Sequence, residues 1–128
     1  MGNGITETIG VDVGDRWSQY SILEQKDGEV IGKGRVRTTV RGMDQFFARH
    51  PNARVVLETG THSRWISQAA ESRCKEVYVA NARKLRFIFQ NDRKSDAADA
   101  QSMAQVARVN PKWVHPIRHR SNEAQRSL

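Results

Sequence analysis

The hydrophobic pattern changes its period at Val40, and that change limits the folds open to the chain. Before it lie three β-rich runs, "ETIGVDVG" (7–14), "WSQYSILEQ" (17–25) and "EVIGKGRVRTT" (29–39). A tight connection around Asp15 and Arg16 separates the first two, and Lys26-Asp27-Gly28 is a hairpin turn signal before the third. Together they predict an antiparallel meander. From Val40, apolar residues recur at helical spacing (Val40, Met43, Phe46, Phe47) as far as His50-Pro51. "ARVVLET" (53–59) is then a continuous apolar run, the kind buried on both faces of a sheet. Trp65, Ile66, Ala69 and Ala70 mark a second helix, "KEVYVA" (75–80) a fifth strand, and Leu85, Ile88 and Phe89 one side of a short helix. The order β-β-β-α-β-α-β-α-α predicts an α/β domain. Its sheet is expected to be mixed and five-stranded, a meander followed by two βα units with helices packed against it.

The last helix is expected within "NDRKSDAADAQSMAQVARVNP" (91–111), opened by Ser95 or Asp92 and closed by Asn110 with Pro111. Asp96, Asp99, Met103 and Val106 stand at i, i+3, i+7 and i+10, so two carboxylates begin a stripe that later turns apolar. Acids in a first helical turn also complement the helix dipole and need no function. Inward carboxylates, however, require hydrogen bonds or a cation. Two further acids are candidates to join them. In the first strand Gly10, Asp12 and Gly14 share a face, which clears space around the Asp12 carboxylate, and Glu58 ends the apolar fourth strand. The carboxyl ends of parallel strands are where open sheets bind ligands. Either acid alone is open to a structural reading, as a hydrogen-bonding strand residue or a turn cap. Four converging acids would repel unless hard divalent cations, Mg²⁺ or Mn²⁺, neutralised them. Two such ions about 4 Å apart would suit in-line phosphoryl transfer.

A chain of 128 residues with 38% hydrophobic content is one domain's worth. It contains no apolar run long enough to span a membrane and no signal-peptide pattern at its start. A single cysteine, Cys74, excludes an internal disulfide and suits a reducing cytoplasm. The net charge of +7 is uneven: residues 83–128 carry 10 Lys and Arg against 4 Asp and Glu. Such a basic segment fits either a solvated surface or a polyanion partner. The candidate phosphate-binding residues are Arg83, Lys84, Arg86, Arg93 and Lys94 beside the acids, with Arg118 and Arg120 on an arm. After Pro111 no sustained period remains, so the domain is expected to end near residue 110 and residues 111–128 to form a basic tail.

Three blocks, "IGVDVG", "VVLETGTHSRW" and "RKSDAADAQSMAQVA", resemble in order and spacing those of the DEDD transposases of bacterial insertion sequences, specifically the insertion-sequence one-ten family. The resemblance implies an RNase H-like (RuvC-like) fold and a catalytic, metal-binding tetrad of Asp12, Glu58, Asp96 and Asp99 with Mg²⁺. It also implies element-end and target DNA and a structured guide RNA as partners, a homo-oligomer or full-length transposase as the assembly, and the bacterial cytoplasm as the location. Members of that family continue into a second domain that supplies a catalytic serine, and none of the serines present here has a context equivalent to it, so the chain is expected to be incomplete for recombination. "ETGTHSRW" departs from the expected small-glycine pair and aromatic, which bears on the loop after Glu58. The "IGVDVGDRWSQYSIL" run is also similar to the phosphate hairpin of actin-like ATPases and sugar kinases, whose second phosphate loop and adenosine loop have no counterpart here. A structure-specific resolvase or a non-catalytic nucleic-acid or oligomerisation module are the remaining alternatives.

Overall fold

The computed structural model describes residues 4–88 and 99–119. The chain runs β1 (Glu7–Asp12), β2 (Trp17–Glu24), β3 (Val30–Arg37), α1 (Val40–Ala48), β4 (Ala53–Glu58), α2 (Ser63–Glu71), β5 (Glu76–Ala80), α3 (Ala82–Ile88) and α4 (Ala100–Val109). A 3-10 turn (Pro111–Val114) and a short β6 (Pro116–Ile117) follow. The strands form one sheet in the order β3-β2-β1-β4-β5-β6. β1, β2 and β3 are antiparallel neighbours, as a meander requires, whereas β4 lies parallel to both β1 and β5. The α/β mixed sheet expected from the pattern is therefore present, with six strands among the described residues rather than five.

The extra strand corrects the boundary expected at residue 110. Asn110 ends α4 and its side chain accepts from the Lys112 backbone N–H (3.0 Å), which starts the 3-10 turn. His115 then takes a left-handed conformation (φ 52°) that reverses the chain, and residues 116 and 117 pair antiparallel with β5. Val114 is fully buried against Val56, Leu85, Met103 and Ala107. The segment thus continues the folded domain rather than forming a tail, with Val114 in the core and residues 116 and 117 in the sheet. A two-residue strand has no period to read, and its anchor is one apolar side chain.

Two cores form on opposite faces of the sheet. On one face Ile9, Val11, Val55, Leu57 and Val79 pack with Met43, Phe46 and Phe47 of α1 and with Ile66 and Ala70 of α2. Thr39 caps α1, its hydroxyl accepting from the Gly42 backbone N–H at 3.0 Å. Cys74 packs at the edge of this core, where burial pushes its thiol up to about 12 and so disfavours the thiolate. The other face is covered by α4, which packs on β1, β2 and β4 through Met103, Ala104 and Ala107. No helix among the described residues is long and apolar enough to cross a membrane.

α4 is held at both ends. At its carboxyl end the buried Arg54 guanidinium donates to the Ala107 and Arg108 carbonyls (3.0 and 3.2 Å) and to Glu76 (2.8 Å). A cation there satisfies carbonyls left without helical partners. Gln25 adds an exchange with Arg108, donating to its carbonyl and accepting from its guanidinium through the backbone oxygen (3.1 and 3.0 Å). At the other end α4 lies directly on Gly10, where a Cβ would stand 2.0 Å from the Ala100 carbonyl oxygen. Only glycine permits that approach. The space cleared beside Asp12 is thus filled, on the Gly10 side, by helix backbone.

Candidate functional site

Alternation along β1 places Gly10 and Asp12 on the α4 face, opposite the buried Ile9 and Val11. The parallel register of β1 and β4 pairs Gly10 with Val56 and Val11 with Leu57. Asp12 and Glu58 are therefore the next residues on neighbouring strands, and both project from the face of Val56. The register thus brings Asp12 and Glu58 to neighbouring positions at the carboxyl ends of two parallel strands.

Asp99 reaches the same end of the sheet by a different route from the one expected. It is the N-cap of α4 and not a residue of its first turn, with extended backbone (φ −72°, ψ 169°). Its Oδ1 accepts from the Ser102 backbone N–H at 2.7 Å. The capping bond fixes one carboxylate oxygen and orients the other. Because α4 sits down on Gly10, this cap is delivered beside Asp12: the two aspartates line one groove of about 610 Å³, with Gln19, Ser21, Lys33, Arg35, Gln101, Ser102 and Gln105. Asp96, Arg93, Lys94 and Arg120 lie outside the described residues.

Glu58 opens instead into a smaller recess of about 140 Å³, with Asp15, Thr59, Thr61, His62 and Ser63. The loop after it is clamped. Trp65 Nε1 donates to His62 Nδ1 (3.1 Å), so the His62 proton sits on Nε2 and points at Asp15 Oδ1 (3.2 Å). Ser63 Oγ donates to the Gly60 carbonyl (2.9 Å) and accepts from its N–H (3.2 Å), with His119 Nε2 at 3.3 Å. His62 and Ser63, within the stretch ETGTHSRW that departs from the family-like pattern, thus make the contacts that fix the loop.

Asp12, Glu58 and Asp99 offer only hard oxygen donors, a set suited to Mg²⁺ or Mn²⁺. Asp12 and Asp99 face one groove, and Glu58 stands one strand away. Among the described residues no group of three or more His, Cys, Asp or Glu side chains is close enough to hold an ion.

The candidate cations are spread out. Arg83 and Lys84 are exposed on α3, which carries Arg86 as well. Arg118 follows β6, at the opposite edge of the sheet from β3. Sequence reasoning passed over a second basic set, Lys33, Arg35 and Arg37 on β3, two of which line the Asp12–Asp99 groove. The signal was present as three cations at alternate positions of one strand.

The fold is that of the RuvC-like, RNase H-like α/β domains. The T. thermophilus RuvC in complex with a Holliday junction substrate superimposes with a TM-score of 0.54 at 14% identity, over 82% of this chain and 96% of that one. The fowlpox virus Holliday junction resolvase gives a TM-score of 0.49 at 14% identity, over 85% of this chain and 98% of that one. At such identities the likeness concerns the fold alone. No curated protein matches the chain. The family model of the IS110 DEDD transposases, described as a transposase, matches residues 9–128. With that match spanning all but the first eight residues, the chain belongs to the IS110 DEDD transposase family.

Proposed function

We propose that the chain carries a Mg²⁺- or Mn²⁺-dependent centre acting on phosphodiesters during DNA transposition, with Asp12, Glu58, Asp96 and Asp99 as its ligands. The observation that supports this reading is the pairing of Asp12 and Asp99 across one groove, one strand from Glu58. A divalent cation bound there supplies neutralising charge and an acidified oxygen nucleophile. The chain's own part is to hold the acids. Asp12 and Glu58 end strands locked in the sheet, and Asp99 ends a helix pinned at both termini. Gln19, Gln101 and Gln105 offer neutral amide donors along the groove wall for phosphate oxygens.

The proposed polymer partners are element-end and target DNA and a structured guide RNA, and the proposed assembly is a homo-oligomer or a complex with full-length transposase in the bacterial cytoplasm. The RuvC neighbour, itself described with a Holliday junction substrate, makes DNA a reasonable ligand for this fold. Arg83, Lys84, Arg86, Arg93, Lys94, Arg118 and Arg120 are proposed to contact phosphates, positioning nucleic acid without reading its sequence. The test is calorimetric titration of Mn²⁺ into the wild type, Asp12→Asn and Glu58→Gln. Binding should fall in both variants, and equal binding by wild type and Asp12→Asn would remove Asp12 from the site.

A further inference from the structure

One wall of the groove continues outward as a strip of cations. The β2–β3 register sets Ser21 opposite Lys33, Gln19 opposite Arg35 and Trp17 opposite Arg37, and β1 sets Asp12 opposite Gln19. All of these side chains share the α4 face. The alternate positions point away, as at Gly34, where a Cβ would meet the Tyr20 hydroxyl of the opposite core at 2.7 Å. β3 is the outermost strand, and Lys33, Arg35 and Arg37 are exposed. Among the described residues none of them has a carboxylate within salt-bridge distance.

Cations on an edge strand also deter edge-to-edge pairing, and that role alone would need no further structure. Here the guanidiniums are held. Arg35 lies over the Trp17 ring at 4.0 Å from its centroid and Arg37 at 4.7 Å, although Trp17 is itself 38% exposed. A guanidinium resting its face on an aromatic ring keeps its in-plane N–H donors available for phosphate oxygens, and it has surrendered rotamer freedom in advance. Residues two apart on a strand repeat roughly every 6.6–6.8 Å, the scale of the step between neighbouring phosphates of an extended polynucleotide strand.

We infer that Lys33, Arg35 and Arg37 form a track for the sugar-phosphate backbone of a single polynucleotide strand, with Trp17 as the positioning residue that orients the two arginines. The track leads along Gln19 and Ser21 into the groove of Asp12 and Asp99. That the strand so delivered is the one acted on rests on the function proposed above; the track itself does not.

The experiment measures anisotropy of labelled single-stranded DNA and RNA oligonucleotides with the 128-residue chain over a salt series. Arg35→Ala and Arg37→Ala should each lower the log-log salt slope by about 0.7. Trp17→Ala removes no charge, so it should weaken binding about two- to five-fold with the slope kept, and Trp17→Phe should recover most of the loss. A slope and affinity change with DNA alone assigns the track to DNA, and one with RNA alone assigns it to RNA. Unchanged slopes in both arginine variants with both polymers would overturn the inference, as would a Trp17→Ala affinity equal to wild type. Should Trp17→Ala not fold, the exposed arginine variants carry the decision through the slope. Mn²⁺ titration of the same proteins separates the two proposals: intact Mn²⁺ binding with unchanged slopes sinks the track only, and absent Mn²⁺ binding with altered slopes sinks the metal centre only.

Discussion

Gly10→Ala tests the geometry on which the site depends. The added methyl carbon would stand 2.0 Å from the Ala100 carbonyl oxygen, 2.9 Å from its carbon and 3.1 Å from the Ala104 nitrogen, all backbone atoms. An ordinary contact begins at 3.4 Å, so the start of α4 must retreat by more than an ångström. The helix cannot pivot freely, because Arg54 and Gln25 hold its far end. Overpacking of this kind costs about 1–3 kcal/mol, or a fall of roughly 4 °C in Tm per kcal/mol for a domain of this size. The retreat also carries Asp99 away from Asp12. A displacement of about 1 Å at a catalytic constellation can cost on the order of 100-fold in rate, so Mn²⁺ affinity and any metal-dependent activity should drop more than stability does. Gly60→Ala is the matched control, since nothing lies within 4 Å of its Cβ; it should stay within about 0.5 kcal/mol of wild type. Thermal melts by circular dichroism and Mn²⁺ titration read both effects. A Gly10→Ala protein with wild-type Tm and Mn²⁺ affinity would refute the close approach of α4 to β1.

Asp99 combines a structural and a proposed metal role, and two substitutions separate them. Asp99→Ala loses the bond from Ser102 and should cost about 1 kcal/mol, whereas Asp99→Asn keeps a capping oxygen, so its melt should match wild type while Mn²⁺ binding falls; equal Mn²⁺ binding would leave Asp99 a cap alone. Val114→Ala should destabilise the domain by about 2 kcal/mol through lost burial and the cavity left behind, measured by urea unfolding, and no change would mean that residues 111–119 are not docked as described.

Much of the fold was legible because a side chain's facing is set by its own backbone. Period two before Val40 and period 3.6 after it marked five strands and the helices between them, and the same alternation put Asp12 and Glu58 on a shared face at neighbouring strand ends. The three blocks that resemble a DEDD transposase stand in the sequence itself, so the family too could be read from it. The misreadings share one cause, which is distance along the chain. Glycine at position 10 signalled room, but only the docking of α4, ninety residues later, determined that helix backbone would take it and that Asp99 would arrive as a cap. Arg54 sits in what read as an apolar run, and its burial is tolerable only because the end of α4 supplies carbonyl acceptors. β6 exists because Val114 fills a gap that α3, α4 and β4 make together. The Lys33–Arg35–Arg37 strip was visible as alternation, yet nothing local tied it to Asp12; the β1–β2 and β2–β3 registers did. Periodicity is written residue by residue, whereas which faces meet follows from the packing of elements far apart in sequence, and the site lies where they meet.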